Sequence, residues 1–585
     1  MSVRKLQQLA IDNDARISDG DEFDVLVVGA GMSGLYTAWR MAAQWRTSPK
    51  LAALVAAGRQ DRLRIGIVEW SDRVGGRLDS RIIAGMTHVP AELGGMRFTP
   101  SHQIVNCLVR HFGLAAEPFP MTANSQFYLR GARFSEKSAA SGEQVPPYAL
   151  PDDERRQTPN QLFNFAIQHA CNDASDWSDA NWQWVKQNMT FSDGVYHQVA
   201  FYDIGFWNLL YRLLSNEGYD YVWDGGGYNS NTINWNSAEA MPYVLTDFSV
   251  TPQLTPQFSR LKAGYHSLPA ALAAQLPALG CTVYGNSRLL RFDSVDGWTQ
   301  CRVQRSDEAA KPATCKARVL VLAMPRTSLE LIEQDCEFFA DERVQYNIQA
   351  VIPQPSYKLF MAYESRWWDK AAFYPGPTIT DLPLRMTYDF GSECERGGAA
   401  DDHRTLLLAA YSDMQADSFW SALERDQPFT QPPSMTKLGS EGGGQAPEAM
   451  CRMAEDMLVK VLSVDGVAPT PSRRIGAYYQ DWSQLPYGGG YHAWATHYRA
   501  WEVMRDVRRP LPARDVYICG EAYSNGQGWV EGAVCTAESI LEDMFLMPRL
   551  AGVAADYVLL TPDPVPPGKA EAKPTFLTRA HGYVF

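Results

Sequence analysis

The sequence predicts an α/β protein in which a parallel sheet is interwoven with an α+β domain and a mostly helical insertion. The apolar run DVLVVG, a glycine turn and a helix with Leu35, Ala38 and Met41 on one face follow one another directly. A second short apolar strand at residues 63–69 completes a strand–helix–strand unit. Residues 135–257 are instead rich in Trp, Tyr, Asn and Asp and contain helical stretches such as NQLFNFAIQHA.

Length and composition indicate a globular protein with more than one domain. The chain has 585 residues, of which 45% are hydrophobic and 20% are charged, so it is too long for a single core. A formal net charge of −13 argues against nucleic acid and anionic membranes as partners, because both need a basic surface. The longest apolar runs, such as residues 319–324, are far shorter than the roughly 20 residues that span a bilayer.

Two further observations concern the compartment and metals. The N-terminal segment has no apolar core of signal-peptide length and no twin arginine, so the expected location is cytoplasmic. The cysteines form no CxxC pair, which is typical of reduced thiols in a chain of this size. The histidines show no ligand cluster, and we therefore expect no metal site.

The first chemical motif is a glycine pattern, Gly29, Gly31 and Gly34, where the first strand meets its helix. The first glycine permits a tight turn, the second lets the backbone approach a pyrophosphate, and the third allows close helix–strand packing. The second strand ends in Glu69, whose carboxylate is suited to accept hydrogen bonds from a ribose diol. Because Glu69 lies beyond the usual spacing of about 20 residues, we predict an added loop near residues 46–61.

A second motif, WSDRVGGRLDS, directly follows Glu69 and favours FAD over NAD. Gly75 and Gly76 leave the backbone open beside the phosphates, and Arg77 supplies a permanent positive charge to them. The glycine pattern, the glutamate at the strand end and the RxGGR sequence together resemble the flavin amine oxidase superfamily.

Four later segments make this resemblance more specific. AELGGMRFTPSHQIVNCLVRHFGL, SYKLFMAYESRWW, LLLAAYSDMQADSFW and ICGEAYSNGQGWVEGAVCTAESIL occur in this order and look like segments of L-amino acid oxidases. The resemblance extends from about Phe23 to Leu541 and is loose across the insertion. It implies an FAD-binding Rossmann-like domain of the GR2, p-hydroxybenzoate hydroxylase-like type. We expect an N-terminal arm at 1–22, an FAD-binding domain from 23–80, 258–345 and 500–550, a substrate-binding domain from 81–134 and 346–499, the insertion at 135–257 and a C-terminal tail at 551–585.

The resemblance places Arg97 opposite the substrate carboxylate, with the hydroxyl of Tyr411 sharing that carboxylate. A guanidinium offers a bidentate fork that matches a carboxylate. Thr99 is a natural N-cap and Pro100 suits the first helical position, so we predict a helix whose N-terminal dipole also favours an anion. The alternative for Arg97 is a surface arginine or one that binds an FAD phosphate, and a tyrosine after an apolar strand is more often part of a core.

Lys358 lies between Tyr357 and Leu359 in an apolar strand, where burial of an ammonium group is costly. By resemblance, it holds a water near the reactive flavin nitrogen and assists the reaction of reduced flavin with O₂. We therefore assign Lys358 a catalytic role. A side chain that faces solvent would remove this interpretation.

The C-terminal block contains a strand at 516–519, a loop and a helix that follows Gly528 and Trp529. By resemblance, Glu521 contacts the ribityl-phosphate region of FAD. The helix dipole near Val530 then stabilises negative charge on the reduced flavin. Trp529 is predicted to form one wall of the pocket, although a tryptophan is more often part of a core.

The segment PYGGGYHAW, residues 486–494, is predicted to approach the flavin face. It has no cysteine, whereas monoamine oxidases attach FAD covalently through one near this point, so we expect non-covalent FAD. Either Tyr491 or His492 faces the substrate, and the sequence leaves both possible. His492 and His497 do not form a credible metal pair, because the nearest acid is distant.

The resemblance implies oxidative deamination of an L-amino acid by hydride transfer to FAD, with O₂ reoxidation, giving a 2-oxo acid, ammonia and H₂O₂. The expected partners are the L-amino acid and O₂, and the expected assembly is a homodimer or higher homo-oligomer. The predicted substrate-binding residues are Arg97, Tyr411, Gly528, Trp529, Tyr491 and His492. The predicted FAD-binding residues are Gly29, Gly31, Met32, Ser33, Gly34, Glu69, Gly76, Arg77, Gly95, Met96, Arg97, Leu289, Glu521, Gly528, Trp529 and Val530.

Three alternatives for the function stay open. The first is a flavin amino acid 2-monooxygenase, which decarboxylates the substrate to an amide on the same scaffold. The second is an amine or polyamine oxidase, which Arg97 disfavours because it would repel a substrate without a carboxylate. The third is a flavin-binding protein without turnover. The insertion favours large neutral or aromatic amino acids, although one buried carboxylate would favour Lys or Arg.

Overall fold

The computed structural model describes residues 15–119, 125–171, 179–247, 257–305, 311–368, 376–424, 442–463 and 466–562. Within these ranges the chain forms two large sheets with helices packed against them. The predicted α/β class is confirmed. No helix in these ranges combines the length and the apolar character needed to cross a bilayer.

The first sheet has seven strands and is centred on the strand that precedes the glycine turn. This strand, Glu22–Val28, pairs in parallel with Ile65–Val68 on one side and with Ala313–Leu322 on the other. Its residues from Phe23 onward are buried, as expected for a parallel strand that is covered on both faces. The other strands are the parallel Cys281–Tyr284 and Val516–Ile518 and the antiparallel pair Ser287–Val295 and Trp298–Arg305.

The helix that follows the glycine turn, Met32–Gln44, packs against the helices Ser267–Gln275 and Val530–Phe545. The loop predicted near residues 46–61 is wrong, because this region contains the helix Pro49–Ala57. Ser48 caps this helix by accepting a hydrogen bond from the backbone N–H of Leu51, which is also one of its buried apolar residues. The long crossover to Glu69 therefore contains an additional helix.

The second sheet has eight strands and carries two of the predicted site residues at its centre. Its order is Gly443–Gln445, Arg474–Asp481, Ser356–Tyr363, Thr405–Asp413, Met386–Ser392, Thr378–Thr380, Gln126–Leu129 and Ala132–Ser135. The strands predicted at SYKLFMAY and HRTLLLAAYS are confirmed, although the second begins only at Thr405. Leu359 packs toward the helix Glu448–Leu462, whereas Phe360 packs toward the insertion. Lys358 shares the alternation of Phe360, so its side chain is on the insertion face.

The insertion is mostly helical, as its composition and periodicity predict. Its helices are Glu136–Ser141, Pro159–Ala170, Asp179–Asn188, Phe206–Leu213, Asn216–Gly225 and Ser237–Asp247. Local sequence explains the start of the second helix: Thr158 and Gln161 form a reciprocal capping box, and Pro159 occupies the first turn. Aromatic side chains of these helices form one cluster with the insertion face of the second sheet.

The helix predicted to start at Thr99 begins instead at Gln103, with His102 as its N-cap, and ends at His111. Residues 99–102 form a turn in which the His102 N–H donates to the Thr99 carbonyl oxygen at 3.2 Å. The N–H groups of Ile104 and Val105 both donate to the Glu531 carboxylate at 2.8 Å. This carboxylate already satisfies the helix N-terminus, so the predicted contribution of that dipole to substrate binding is not supported.

The termini and one loop were predicted to be arms or flexible segments. The first strand begins at Glu22, and the Gly20 N–H donates to the Thr314 carbonyl oxygen at 2.8 Å, while residues 1–14 lie outside the described residues. The composition of QPPSMTKLGSEGGGQAP, residues 431–447, predicts a flexible surface loop, but Gly443–Gln445 forms an edge strand and residues 431–441 lie outside the described ranges. The C-terminal segment is described to residue 562, and the rest of the predicted tail lies outside.

Shorter elements connect the two sheets. Four two-stranded pairs are Ser80–Arg81 with Ala91–Glu92, Ala116–Pro118 with Ser259–Leu261, Thr190–Phe191 with Val199–Ala200, and Val351–Gln354 with Tyr491–Trp494. The remaining α-helices of the described chain are Arg326–Glu330, Glu342–Gln349, Gln415–Ser421 and Ala500–Val507. The first and last of these strand pairs place Glu92 and Tyr491 at the candidate site.

Candidate active site

A groove of about 1190 Å³ runs along the glycine turn at the carboxyl end of the first sheet. Gly29 has a φ of +104°, and a Cβ atom there would lie 2.4 Å from the Ala323 carbonyl oxygen. A Cβ at Gly34 would lie 2.0 Å from the Gly29 carbonyl oxygen, which explains the close packing of helix and strand. Gly31 caps the helix and has open space around its missing Cβ, so the groove reaches the helix N-terminus.

Glu69 forms one wall of this groove at the end of its strand. Its Oε2 atom accepts a hydrogen bond from the Ala30 N–H at 2.6 Å, and its Oε1 atom accepts one from the Ser71 N–H at 3.0 Å. These bonds fix the carboxylate in the glycine turn. The Ser71 hydroxyl also donates to Oε1 at 2.8 Å, and a carboxylate in this position beside the glycine turn suits a ribose.

The RxGGR segment closes the groove against the glycine turn. The Gly75 N–H donates to the Ala30 carbonyl oxygen at 2.8 Å, and Gly75 and Gly76 have φ values of +105° and +56°. Arg77 Nη2 donates to Glu521 Oε2 at 2.8 Å, and its Nη1 donates to the Gly490 carbonyl oxygen at 2.9 Å. The guanidinium that was predicted to face the phosphates is therefore paired with a carboxylate.

The donor set of the groove fits FAD. A helix N-terminus without a side chain lies beside a carboxylate, which suits a pyrophosphate followed by a ribose. The predicted residues Met32, Ser33, Gly76 and Leu289 line the same groove. Trp70 and Arg288, which sequence reasoning did not select, also line it, with the Arg288 Cζ atom 5.4 Å from the Trp70 ring centre.

Glu521 joins three segments at the site by accepting hydrogen bonds from Arg77, His492 and Gly528. Its Oε1 atom accepts from the Gly528 N–H at 2.7 Å and from the His492 N–H at 3.0 Å. Burial opposes ionisation of this carboxyl, but the charge of Arg77 and a bond from His492 lower its pKa to about 2. Trp529 and Val530 then begin the helix Val530–Phe545, as predicted, with Trp529 as the N-cap.

A second cavity of about 830 Å³ continues from this groove. The two share the lining residues Arg77, Gly95, Gly490, Gly528, Trp529 and Val530. The second cavity also brings together Met96, Arg97, Lys358, Tyr411 and Tyr491, which are distant in sequence but were all predicted at the site. A molecule in the second cavity is therefore adjacent to one in the groove.

Arg97 is half-buried and lies against aromatic rings. Its Cζ atom is 4.0 Å from the ring centre of Phe258 and 5.7 Å from that of Phe119. Burial raises the pKa of the Tyr411 hydroxyl to about 12, and the nearby charge of Arg97 opposes this rise. The Tyr228 ring lies edge-on to Tyr411, with 5.1 Å between the ring centres. A guanidinium and a phenol hydroxyl thus line the same cavity.

Lys358 is buried, with 2% of its surface exposed, so the solvent-facing alternative is excluded. Its Nζ atom donates to the carbonyl oxygens of Gly94 at 2.5 Å and Glu92 at 3.0 Å. It also lies 4.5 Å from the ring centre of Tyr411, its cross-strand partner. Burial lowers the pKa of Lys358 to about 7, although the Glu92 carboxyl favours the charged form.

Glu92 itself is a buried acid beside this lysine. Burial raises the pKa of Glu92 to about 7, while hydrogen bonds from Ser80 Oγ at 2.6 Å and from the Tyr265 N–H at 2.9 Å oppose the rise. Glu92 does not line the second cavity. Its carboxyl favours protonation of Lys358, which does line that cavity.

The choice between Tyr491 and His492 follows from strand alternation. Tyr491 lines the second cavity, and its hydroxyl donates to Asp413 Oδ2 at 3.3 Å and is hydrogen-bonded to Ser230 Oγ. His492 lines neither cavity. Its Nδ1 atom lies 3.0 Å from Glu521 Oε2, and burial lowers its pKa. The geometry favours Tyr491, and the predicted substrate contact of His492 is not supported.

Several residues at the site were missed by sequence reasoning. Tyr228 and Tyr243 reach the second cavity from the insertion, where many tyrosines made no single one stand out. Asp413 is buried and accepts hydrogen bonds from the N–H groups of Asn229 at 3.0 Å and Ser230 at 2.9 Å, which fixes the segment that carries Tyr228. The described ranges contain no group of three or more His, Cys, Asp or Glu suited to a metal ion.

Solved structures similar to this chain include a putrescine oxidase bound to putrescine, with a TM-score of 0.58 and 18% identity over 90% of this chain and 99% of that chain. Aplysianin-A of Aplysia kurodai is 26% identical, covering 90% of each chain. An L-amino-acid oxidase of Siganus canaliculatus is 23% identical, covering 88% of this chain and 83% of that protein. The sequence model of the family described as "Flavin containing amine oxidoreductase" matches residues 32–539 of this chain. With this match, an FAD groove and an adjoining cavity, the chain belongs to the flavin-containing amine oxidoreductase family and is an FAD-dependent enzyme.

Proposed function

We propose that this enzyme oxidatively deaminates an L-amino acid. In the proposed reaction an amino acid, O₂ and water give a 2-oxo acid, ammonia and H₂O₂. One observation carries the proposal: the described residues that line the second cavity include Arg77, Arg97 and Lys358 but no Asp or Glu. Such a lining favours a substrate with an anionic group and disfavours one that carries only amines.

Arg97 and Tyr411 are the proposed carboxylate clamp. A guanidinium binds a carboxylate through two parallel hydrogen bonds, and a phenol hydroxyl adds a third donor. Because the cavity adjoins the groove at Gly528 and Trp529, a substrate held in this way presents its α-carbon toward the groove. When bound, FAD would accept the two electrons of the substrate and would then be reoxidised by O₂.

Lys358 is the proposed catalytic group of the chain. Two backbone carbonyls fix its Nζ atom, and the ring of Tyr411 covers one side. With a pKa near 7, this amine exists in both protonation states at neutral pH, so it is suited to hold a water and to exchange a proton with it. The rings of Tyr228, Tyr243 and Trp529 line the cavity and would limit the access of water to the reacting carbon.

The relatives support the proposal without deciding it. One matched relative is described as an L-amino-acid oxidase, whereas the structural neighbours are described as putrescine oxidase and indicate the fold alone. A diamine substrate needs an acid at the cavity for its cationic group. The buried Asp413 lies behind Tyr491 and is occupied by two backbone amides, so it does not supply that acid.

The proposal is tested by assaying peroxide with the purified protein over the L-amino acids, the corresponding D-amino acids and the amines that lack the carboxylate. We expect turnover with large neutral L-amino acids and little with the matching amines or D-isomers. Analysis of the organic product distinguishes the 2-oxo acid from an amide, the product of a monooxygenase. Oxidation of putrescine or another amine in preference to every amino acid would contradict the proposal.

A further inference from the structure

Phe258 contacts two elements of the candidate site without lining either cavity. On one side its ring is stacked on Trp529, with 6.1 Å between the ring centres and planes 8° apart. The Arg97 Cζ atom lies 4.0 Å from the centre of the same ring. We propose that Phe258 is a positioning residue that holds the Arg97 guanidinium for carboxylate recognition, an inference that rests on the proposed function.

The backbone fixes the ring beside Arg97. The Phe98 and Ser259 N–H groups donate to each other's carbonyl oxygens at 2.9 and 2.8 Å, and the Phe119 N–H donates to the Phe258 carbonyl oxygen at 2.8 Å. The pairing of Phe98 with Ser259 is antiparallel, so Arg97 lies opposite Arg260 and is a diagonal neighbour of Phe258 on the same face, a distance that long and aromatic side chains can bridge. Only 7% of Phe258 is exposed, which leaves its ring little freedom to move.

An aromatic face suits this task for a physical reason. A guanidinium over a ring is attracted by the negative face of the π system, yet all of its N–H donors remain directed outward in its plane. A carboxylate partner would hold the charge equally well, but it would compete with the substrate carboxylate for those donors. Arg97 also hydrogen-bonds the Tyr388 hydroxyl, and the face of Phe258 orients the guanidinium without competing with an anion for its donors.

The stack on Trp529 gives Phe258 a second effect. Trp529 caps the helix that faces the groove and lines both cavities. The ring of Phe258 thus sets the distance between the carboxylate clamp and the boundary with the flavin site. This distance determines how far the substrate α-carbon lies from the groove when its carboxylate is bound.

The test compares Phe258→Leu, which keeps apolar bulk but removes the π face, with Phe258→Tyr, which keeps the face. Phe119→Leu is the matched control, because its ring is also near Arg97 but more distant, at 5.7 Å. Binding of benzoate to the oxidised holoenzyme is followed by the visible absorbance of FAD, and KM and kcat are measured for the best amino acid. FAD content and Tm report on folding.

We expect Phe258→Leu to raise KM and the benzoate Kd by about 2- to 30-fold, the range for a cation–π contact, with a smaller change in kcat. Phe258→Tyr should keep KM and the benzoate Kd close to their wild-type values. Phe119→Leu should change them less than Phe258→Leu does. In an Arg97→Ala background, Phe258→Leu should have no further effect on benzoate binding. A purely structural role would lower FAD content and Tm without this dependence on Arg97.

The inference is overturned if Phe258→Leu binds benzoate as tightly as the wild type, or if its effect is equally large without Arg97. Should Phe258→Leu fail to fold, Phe258→Tyr still gives a result, since weak benzoate binding by this folded variant would overturn it as well. Because benzoate binding requires no turnover, an enzyme that oxidises no amino acid refutes the proposed function, whereas unchanged benzoate binding refutes the role of Phe258.

Discussion

Replacement of Arg97 by Ala should separate amino acid oxidation from amine oxidation. The guanidinium is half-buried on the Phe258 ring, in a cavity whose described lining has no acid. Removing one partner of a desolvated, hydrogen-bonded charge pair typically costs about 2 to 5 kcal/mol. With about 1.4 kcal/mol for each factor of ten, kcat/KM for the best L-amino acid should fall by roughly 30-fold to several thousandfold.

The assay measures peroxide formation by Arg97→Ala with the amino acid and with the matching amine. The amine should be a poor substrate for the wild type and should lose little or no further activity in the variant. Arg260→Ala is a suitable control, because Arg260 lies 5.8 Å from the Phe119 ring centre but pairs with Glu117 at 2.8 Å and does not line the cavity. Near-normal amino acid turnover by Arg97→Ala, with FAD bound, would refute the reasoning.

Three further predictions follow from the same geometry. Lys358→Met should keep FAD and slow flavin reduction or reoxidation much more than it weakens substrate binding, and unchanged stopped-flow rates would remove its catalytic role. Because burial brings the pKa values of Lys358 and of its neighbour Glu92 both to about 7, the kcat/KM profile should have an inflection near pH 7. Glu92→Gln removes a charge that favours the protonated lysine, so this inflection should move to lower pH, and an unmoved inflection would assign it to another group. Acid or heat should release intact FAD from the yellow protein, whereas flavin that stays with the precipitate would indicate covalent attachment.

The parts of the fold that the sequence predicts well are those set by local patterns. A short stretch of sequence is enough to predict each of three features. These are the glycine turn, the buried strand Ser356–Tyr363 and the start of the helix at Val530. The cofactor groove could be predicted for the same reason, because Gly29 has a positive φ and Gly34 allows a close packing that a Cβ atom would prevent, while Gly31 leaves open space at the helix N-terminus. Such features need no knowledge of distant contacts.

Features that depend on distant residues could not be read from the sequence. Thr99 is a residue type that often caps helices, but the helix starts at Gln103. There the Glu531 carboxylate accepts hydrogen bonds from N–H groups of the first turn. Similarly, Tyr491 and His492 are equally plausible until the strand is paired and its faces are assigned. Phe258 had no local signal at all, because its importance comes from rings contributed by Trp529 and a guanidinium from Arg97.

The charge distribution links the cofactor groove to the proposed preference for an anionic substrate. Arg77 lies at the boundary between the two cavities, but its guanidinium is paired with Glu521, whose pKa is lowered to about 2, so this pair is neutral overall at physiological pH. Arg97 and Lys358 lie further inside, and aromatic rings cover both. A ring stabilises a cation without neutralising it. Under the proposed function, a carboxylate that enters the cavity should be attracted most strongly at Arg97, beyond the boundary, which would bring the adjoining amino-bearing carbon near the groove.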